Sequence, residues 1–147
     1  KDKGCLVQAG HPPGLLITSD AEVKTIGDGG SPIGLVAAGS YDAFEFEFKP
    51  GDRLLLHSDG VTDAASPDGS LYSEERLSAL LRSKATIPTE ALLEELSTAL
   101  VAWRGVDQFD DDVSVVVIER LRSSAQAGET LAQNTSDHIG MPHRGTA

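Results

Sequence analysis

Cysteine is nearly absent from this 147-residue sequence, where Cys5 stands alone. One thiol excludes an internal disulfide framework and any zinc site built on cysteines. Basic side chains are also scarce: 12 Lys+Arg face 23 Asp+Glu, for a formal net charge of −11. The deficit is uneven. Residues 1–120 hold 10 basic and 21 acidic side chains, whereas residues 121–147 hold two of each. An acidic surface repels phosphate backbones and anionic lipid, so nucleic-acid and membrane-surface roles fall away. Long apolar runs are missing too. A stretch such as Val115–Ile118 is far below the ~20 residues that cross a bilayer as a helix. No charged-then-apolar leader pattern and no internal repeat is visible, and the expected location is the cytoplasm. Because the chain opens on Lys1 and runs straight into a strand-like segment, we expect a processed protein or an excised piece of a longer one.

What is present suits one globular domain, with 39% hydrophobic and 24% charged residues. Cys5–Ala9 is a short apolar run that stops at the stiff turn Gly10-His11-Pro12-Pro13-Gly14. Leu15–Thr18 and Glu22–Ile26 predict two strands joined across Ser19-Asp20. In Ala43–Phe48, Phe44, Phe46 and Phe48 alternate with Glu45 and Glu47 at period two, which predicts a strand with a core-facing phenylalanine stripe. Arg53–His57 predicts a buried strand. Helical spacing then takes over in Ser73–Lys84 and from Pro88 to Gly105, where Leu92, Leu93, Leu96, Leu100 and Trp103 make one stripe. Val113–Glu119 predicts a last strand, and beyond Arg120 the periodicity is lost, so residues 121–147 are expected to be a disordered tail. Five strands, two helices and a final strand indicate an α+β fold.

Two acidic groups sit at strand ends, where function tends to be placed. The first follows the buried strand as His57-Ser58-Asp59-Gly60-Val61-Thr62-Asp63. Glycine after the aspartate lets a ligand approach closely. The second precedes the last strand as Asp107-Gln108-Phe109-Asp110-Asp111-Asp112, four acids in six residues. Like charges packed this closely call for neutralisation by cations or water. With no cysteine or paired histidine nearby, oxygen ligands indicate a hard dication, Mg²⁺ or Mn²⁺ ahead of Zn²⁺. Spacing alone does not separate a metal site from a solvated loop, since loops are rich in Asp and Gly for conformational reasons. Asp63 and Asp68 read as turn residues, and His57 as a core or supporting residue. His11 reads as a turn-packing residue, with a catalytic role the lesser option. An EF-hand starting at Asp63 fails where Ala65 and Pro67 stand, and a dinucleotide fingerprint at Gly27 fails at Pro32. A Ser–His–Asp relay within His57-Ser58-Asp59 fails because strand neighbours point to opposite faces.

Six segments stand together in series. They are Ala9-Gly10-His11-Pro12-Pro13, Gly30-Ser31-Pro32-Ile33-Gly34-Leu35, Pro50-Gly51-Asp52-Arg53-Leu54-Leu55-Leu56, Ser58-Asp59-Gly60-Val61-Thr62-Asp63-Ala64, Glu75-Arg76-Leu77 and Asp111-Asp112-Val113-Ser114-Val115-Val116-Val117. In that order and spacing they resemble the metal-dependent protein phosphatases of the PPM family, in the bacterial sporulation and stress-response (SpoIIE/RsbU-like) branch. The resemblance implies an αββα sandwich of which residues 1–120 form the C-terminal portion, with a centre of two Mn²⁺ or Mg²⁺ ions between its sheets. Asp59 matches the second-half Asp-Gly metal ligand, with Gly60 its companion glycine. Asp111 matches the acid that opens the final motif, also a metal ligand, and Asp112 is its neighbour. The implied reaction is hydrolysis of phosphoserine or phosphothreonine on a regulatory protein, typically an anti-sigma-factor antagonist, in a chain carrying an upstream sensor or receiver domain. Two departures stand out. Nothing here matches the family's first-half Asp and Asp-Gly pair, so those ligands are expected upstream of Lys1. Ser73 also replaces the glycine usual after the aromatic residue Tyr72. The competing expectation is a non-catalytic binding module that keeps the fold around an incomplete metal centre.

Overall fold

The structure is a computed structural model that describes residues 2–35, 40–105 and 111–122. Its strands are β1 (Lys3–Val7), β2 (Gly14–Ile17), β3 (Val23–Ile26), β4 (Ala43–Glu47), β5 (Arg53–His57) and β6 (Val115–Glu119). Its helices are α1 (Asp59–Thr62), α2 (Ser73–Ser83) and α3 (Thr89–Arg104). All pairings are antiparallel. One sheet runs β3-β2-β5-β6, and β1 and β4 make a separate two-stranded ribbon. The fold is therefore the α+β arrangement expected.

The four-stranded sheet is the frame because both of its central strands are apolar on both faces. Every residue of β2, Gly-Leu-Leu-Ile, is buried, and so are Arg53, Leu54, Leu55 and His57 of β5. A strand read as a continuous apolar run is one covered on two sides. On one face Leu15, Ile17 and Leu55 join Leu77 and Leu81 of α2 with Leu92, Leu96 and Leu100 of α3 in a single core. Burying side chains of this size contributes about 1.5–3 kcal/mol each. On the other face Leu6 of β1 meets Leu54 and Leu56 around the bare Cα of Gly14, so the ribbon lies over the sheet there.

Four expectations need correction. β1 runs over Lys3–Val7 and stops before Gln8, because its register against β4 places Lys3 opposite Glu47 and Val7 opposite Ala43. The phenylalanine stripe lies outside the main core. Phe44, Phe46 and Phe48 are half-buried because a two-stranded ribbon has too little beneath it to cover them. Period two was a correct sign of a strand but not of depth. Last, the chain turns into the short helix α1 directly after β5, where a loop was expected. The last strand also begins at Val115, two residues later than its pattern indicated. The expected tail lies outside the described residues from 123 onward.

Buried polar groups are tied down at the far end of the sheet. Asp52 accepts from the backbone N–H of Ser19 at 2.9 Å and of Lys49 at 2.7 Å. The Arg53 guanidinium donates to the carbonyls of Ile87, at 3.0 Å, and Ala85, fixing β5 to the α2–α3 connection. At the start of α2 the Tyr72 ring packs edge-on to Trp103 at 6.1 Å, and Arg76 lies over that indole at 4.2 Å. Burial pushes the Tyr72 phenol above its ordinary range.

Ser73 has a φ of +68°, in the left-handed region that favours glycine. The serine that departs from the family pattern thus occupies a backbone geometry where a Cβ is unfavourable, by roughly 1–2 kcal/mol. Its hydroxyl bond to Glu75, which holds that exposed carboxyl below its ordinary range, offsets little of this. Ser73→Gly is expected to raise the free energy of unfolding by about 1 kcal/mol in urea titrations. A destabilised Ser73→Gly protein would contradict this account.

Candidate metal centre

The pairing of β5 with β6 decides where the acids meet. The register runs Arg53↔Glu119 through His57↔Val115, so the chain leaves β5 at the end where it enters β6. One step further, the Ser58 N–H donates to the Ser114 carbonyl at 3.0 Å. The Ser58 hydroxyl closes the junction: Oγ donates to the Asp112 carbonyl at 2.8 Å and accepts from the Ser114 N–H at 3.0 Å. Asp59 and Asp111-Asp112 are therefore carried to the same end of two neighbouring strands. Ser58 is the supporting residue that sequence reasoning missed. The available signal was a small hydroxyl residue between a buried strand and its terminal acid.

Rigid backbone holds Asp59 after that junction. The side chain of Val61, two residues on, is fully buried in the core. The Ala64 carbonyl accepts from the Trp103 indole N–H at 3.1 Å and from the Tyr72 N–H at 2.8 Å. Asp59 Oδ1 accepts from the Gly60 N–H at 3.1 Å, and Asp111 Oδ1 from the Asp112 N–H at 2.7 Å. Each carboxylate keeps its second oxygen without a hydrogen-bond or ion-pair partner among the described residues. Asp59, Asp111 and Asp112 are all exposed and none has a basic partner there, whereas Glu22, Glu45, Glu47 and Glu95 each pair with a lysine at 2.9–3.1 Å.

Gly60 is a packing requirement. A Cβ built on it would stand 2.5 Å from the Asp112 carbonyl oxygen and 3.0 Å from its carbon. That backbone is the one the Ser58 hydroxyl holds, so it has little freedom to withdraw.

The other expected residues fall elsewhere. Asp68 caps a tight turn, accepting from Ser66 Oγ and from the Ser70 N–H at 3.1 Å, and the Ser66 hydroxyl keeps its carboxyl below the ordinary range. His57 is buried, its Nδ1 donating to the Ser58 carbonyl at 2.9 Å. Asp107 and Asp110 lie outside the described residues. The two signature segments near the N-terminus also come together. The Gly10 N–H donates to the Gly29 carbonyl at 2.8 Å, and a Cβ on Gly10 would stand 2.7 Å from the Pro32 ring. A cavity of about 670 Å³ opens between α3 and the entry to β6, lined by Leu93, Leu96, Leu100, Val113, Asp111 and Asp112 among others.

The donor set is all oxygen, which suits a hard dication. Among the described residues no group of three or more His, Cys, Asp or Glu is placed to hold a metal ion. Asp59 and Asp111 thus fit as part of a ligand set, short of the roughly six oxygens that Mg²⁺ takes.

Gly60→Ala is expected to destabilise the protein by about 1–3 kcal/mol, the range for forced overpacking. Urea unfolding measures this, and a change near zero would show that the Asp112 backbone yields freely.

Comparisons with known proteins agree with one another. The family model described as Stage II sporulation protein E (SpoIIE) matches residues 2–121. Protein IcfG of Synechocystis sp. is 28% identical over 112 residues, covering 76% of this chain and 18% of IcfG. The SiaA-PP2C domain of Pseudomonas aeruginosa superposes with a TM-score of 0.66 at 25% identity, over 76% of this chain and 44% of that one. The RsbU and RsbW domains of Rv1364c from Mycobacterium tuberculosis give 0.69 at 22% identity, over 92% and 40%. The phosphatase domain of SpoIIE from Bacillus subtilis (Mn presoaked) gives 0.60 at 18% identity, over 97% and 58%, a likeness of fold. The chain spans less than a fifth of the curated relative and less than two thirds of each of these solved chains. With residues 2–121 matched, the chain belongs to the SpoIIE family, and its fold is that of the PP2C-type domains it superposes on.

Proposed function

We propose that residues 1–120 form the C-terminal portion of a PPM-type phosphatase domain that removes phosphate from phosphoserine or phosphothreonine on a regulatory protein. An anti-sigma-factor antagonist is the substrate class implied by the branch. The observation that carries this reading is the meeting of Asp59 and Asp111 at adjoining strand ends, exposed and without basic partners, in a chain of this family.

Asp59 and Asp111 would hold Mn²⁺ or Mg²⁺ through their carboxylate oxygens, with Asp112 beside them. Two such cations, when bound, supply a water deprotonated near neutral pH and positive charge against the phosphoryl oxygens. The remaining ligands would come from polypeptide outside this chain, since the solved domains are more than one and a half times the part matched here. In this reading the aspartates position and neutralise; neither is a nucleophile, and no phospho-enzyme forms. Ser58 and Gly60 keep the two strand ends at a fixed separation, the accuracy a transition-state site needs. An upstream sensor or receiver domain and a cytoplasmic setting complete the proposal. No helix among the described residues is long and apolar enough to cross a membrane.

In the full-length protein, hydrolysis of a phosphoserine peptide is expected to require Mn²⁺ or Mg²⁺ and to stop on chelation with EDTA. Asp59→Asn and Asp111→Asn are each expected to lower kcat by more than ~100-fold and to weaken metal binding measured by calorimetry, since even outer partners of metal ligands are worth 10- to 100-fold. Unchanged rates in both variants would sink the site assignment. Residues 1–147 alone are expected to show only background hydrolysis with either metal, and metal-dependent turnover by them would overturn the idea of a shared ligand set. A full-length protein that folds but neither binds metal nor hydrolyses the peptide would favour the non-catalytic module.

A further inference from the structure

The end of the sheet that carries the acids also carries an exposed apolar turn. β2 lies between β5 and β3, with Leu15 opposite Leu55 on one side and Gly14 opposite Ile26 on the other. β3 therefore ends at the edge where β5 delivers Asp59, two strand spacings or ~10 Å away. The chain that follows β3 is fastened there. The Gly29 carbonyl accepts from the Gly10 N–H at 2.8 Å, and the Gly29 N–H donates at 3.1 Å to Oε1 of Gln8, a side chain only 5% exposed. Nε2 of that amide donates to the Pro12 carbonyl at 2.7 Å, which ties the turn before β2 to the same corner. Pro32 sits against Gly10, where a Cβ would stand 2.7 Å from its ring.

Beyond that anchor the chain makes one tight turn, the Leu35 N–H donating to the Pro32 carbonyl at 3.3 Å, with Gly34 at a φ of +84°. Its two large side chains are left in solvent, Ile33 at 79% and Leu35 at 75% exposed. Single exposed aliphatic residues are ordinary, but two on one anchored turn beside a cluster of acids mark a contact surface. What the edge lacks decides the partner. Segments 8–14, 25–35, 57–63 and 111–115 bring Asp28, Asp59, Asp63, Asp111 and Asp112 and no lysine or arginine. A second copy in an isologous contact would set these acids against themselves. Two side chains also fall far short of the ~800 Å² per partner that a stable interface buries. Anionic lipid is repelled by the same acids. A protein held briefly, through aliphatic residues in basic surroundings, meets both features of the edge.

We infer that the turn Pro32–Leu35 is the docking surface for the phosphoprotein substrate, taking aliphatic residues that flank its phosphoserine; the inference rests on the reading given under Proposed function. Extended chain spans ~3.4 Å per residue, so the ~10 Å between the two loops is covered by about three residues. Ile33 and Leu35 thus meet side chains about two to four places from the phosphoserine. Contacts this far from the reacting phosphorus hold substrate and transition state alike, so they act on KM and leave kcat nearly unchanged.

Two phosphoserine peptides of equal length test this in the full-length protein with Mn²⁺. Both carry Arg beside the phosphoserine; one has Leu and the other Ser at the places two to four residues away. The wild type is expected to favour the Leu peptide by about 10-fold or more in KM, the scale of burying one aliphatic side chain. The Ile33→Ser/Leu35→Ser double variant is expected to lose that preference to within about twofold at unchanged kcat. Hydrolysis of p-nitrophenyl phosphate, which has no flanking residues, is expected to change by less than about twofold. A preference kept by the variant, or absent from the wild type, would overturn the docking assignment. Equal losses on both peptides and on p-nitrophenyl phosphate would overturn it too. So would a fall in the urea stability of the full-length variant, by showing that the turn packs inside the domain. A wild-type protein that hydrolyses none of the three would instead overturn the phosphatase reading, a result distinguishable from all of these.

Discussion

The candidate metal centre depends on the antiparallel pairing of Arg53–His57 with Val115–Glu119, sealed by the Ser58 hydroxyl. The two strands are separated by some sixty residues, two long helices and the core those helices build. Only when the pairing forms do Asp59 and Asp111 come to one edge, and the register has to be right to the residue. A slip of one place would turn Leu54 and Leu55 to the wrong faces and separate the acids as well. The core specifies that register, because β5 is apolar on both sides and tolerates no half-buried compromise. Packing energy thereby sets the position of a carboxylate that takes no part in packing.

The same logic explains why the edge holds together despite its charge. Asp59 and Asp111 each direct one oxygen to a backbone N–H, which fixes the side chain without neutralising it. Gly60 lets the two chain segments touch where any larger residue would force them apart. Val61, Ala64, Tyr72 and Trp103 then anchor the far side of α1, so the turn that presents Asp59 has no slack. Stability invested in the hydrophobic core is converted into precision at the rim.

Much of this was legible in the sequence, and the unreadable parts have physical causes. Helical spacing located α2 and α3 because their apolar stripes are local patterns. Strand ends carrying Asp-Gly and Asp-Asp singled out Asp59 and Asp111 for the same reason. What a linear pattern does not contain is partnership. The phenylalanines of β4 looked like core because alternation reports a strand's two faces, not what lies over them. Their strand pairs with β1, some forty residues away, and among the described residues that two-stranded ribbon leaves them half-buried. Ser73 stood out only as a departure from the family's glycine, since the left-handed backbone that makes it unfavourable is a property of the folded chain. Ser58 showed only as a small hydroxyl residue before the acid, because its two partners lie more than fifty residues ahead.

The charge that excluded nucleic acid and membrane surfaces also bears on how such a protein could meet a phosphate at all. A net charge of −11 repels a phosphate monoester as it repels a phosphate backbone. The exposed glutamates of β4 and α3 do little to change this, because the Lys–Glu pairs that neutralise several of them are solvated surface pairs of small energy. At the sheet edge the situation is different: carboxylates converge, lysine and arginine are absent among the described partners, and one oxygen of each acid stays uncommitted. An edge of that kind repels phosphate when bare and attracts it when dications sit on the acids, since each ion reverses the local sign. In the proposed phosphatase, affinity for substrate is therefore conditional on metal from the first encounter. The acids that make the chain inhospitable to anions are the same ones that would let it select a single phosphoryl group.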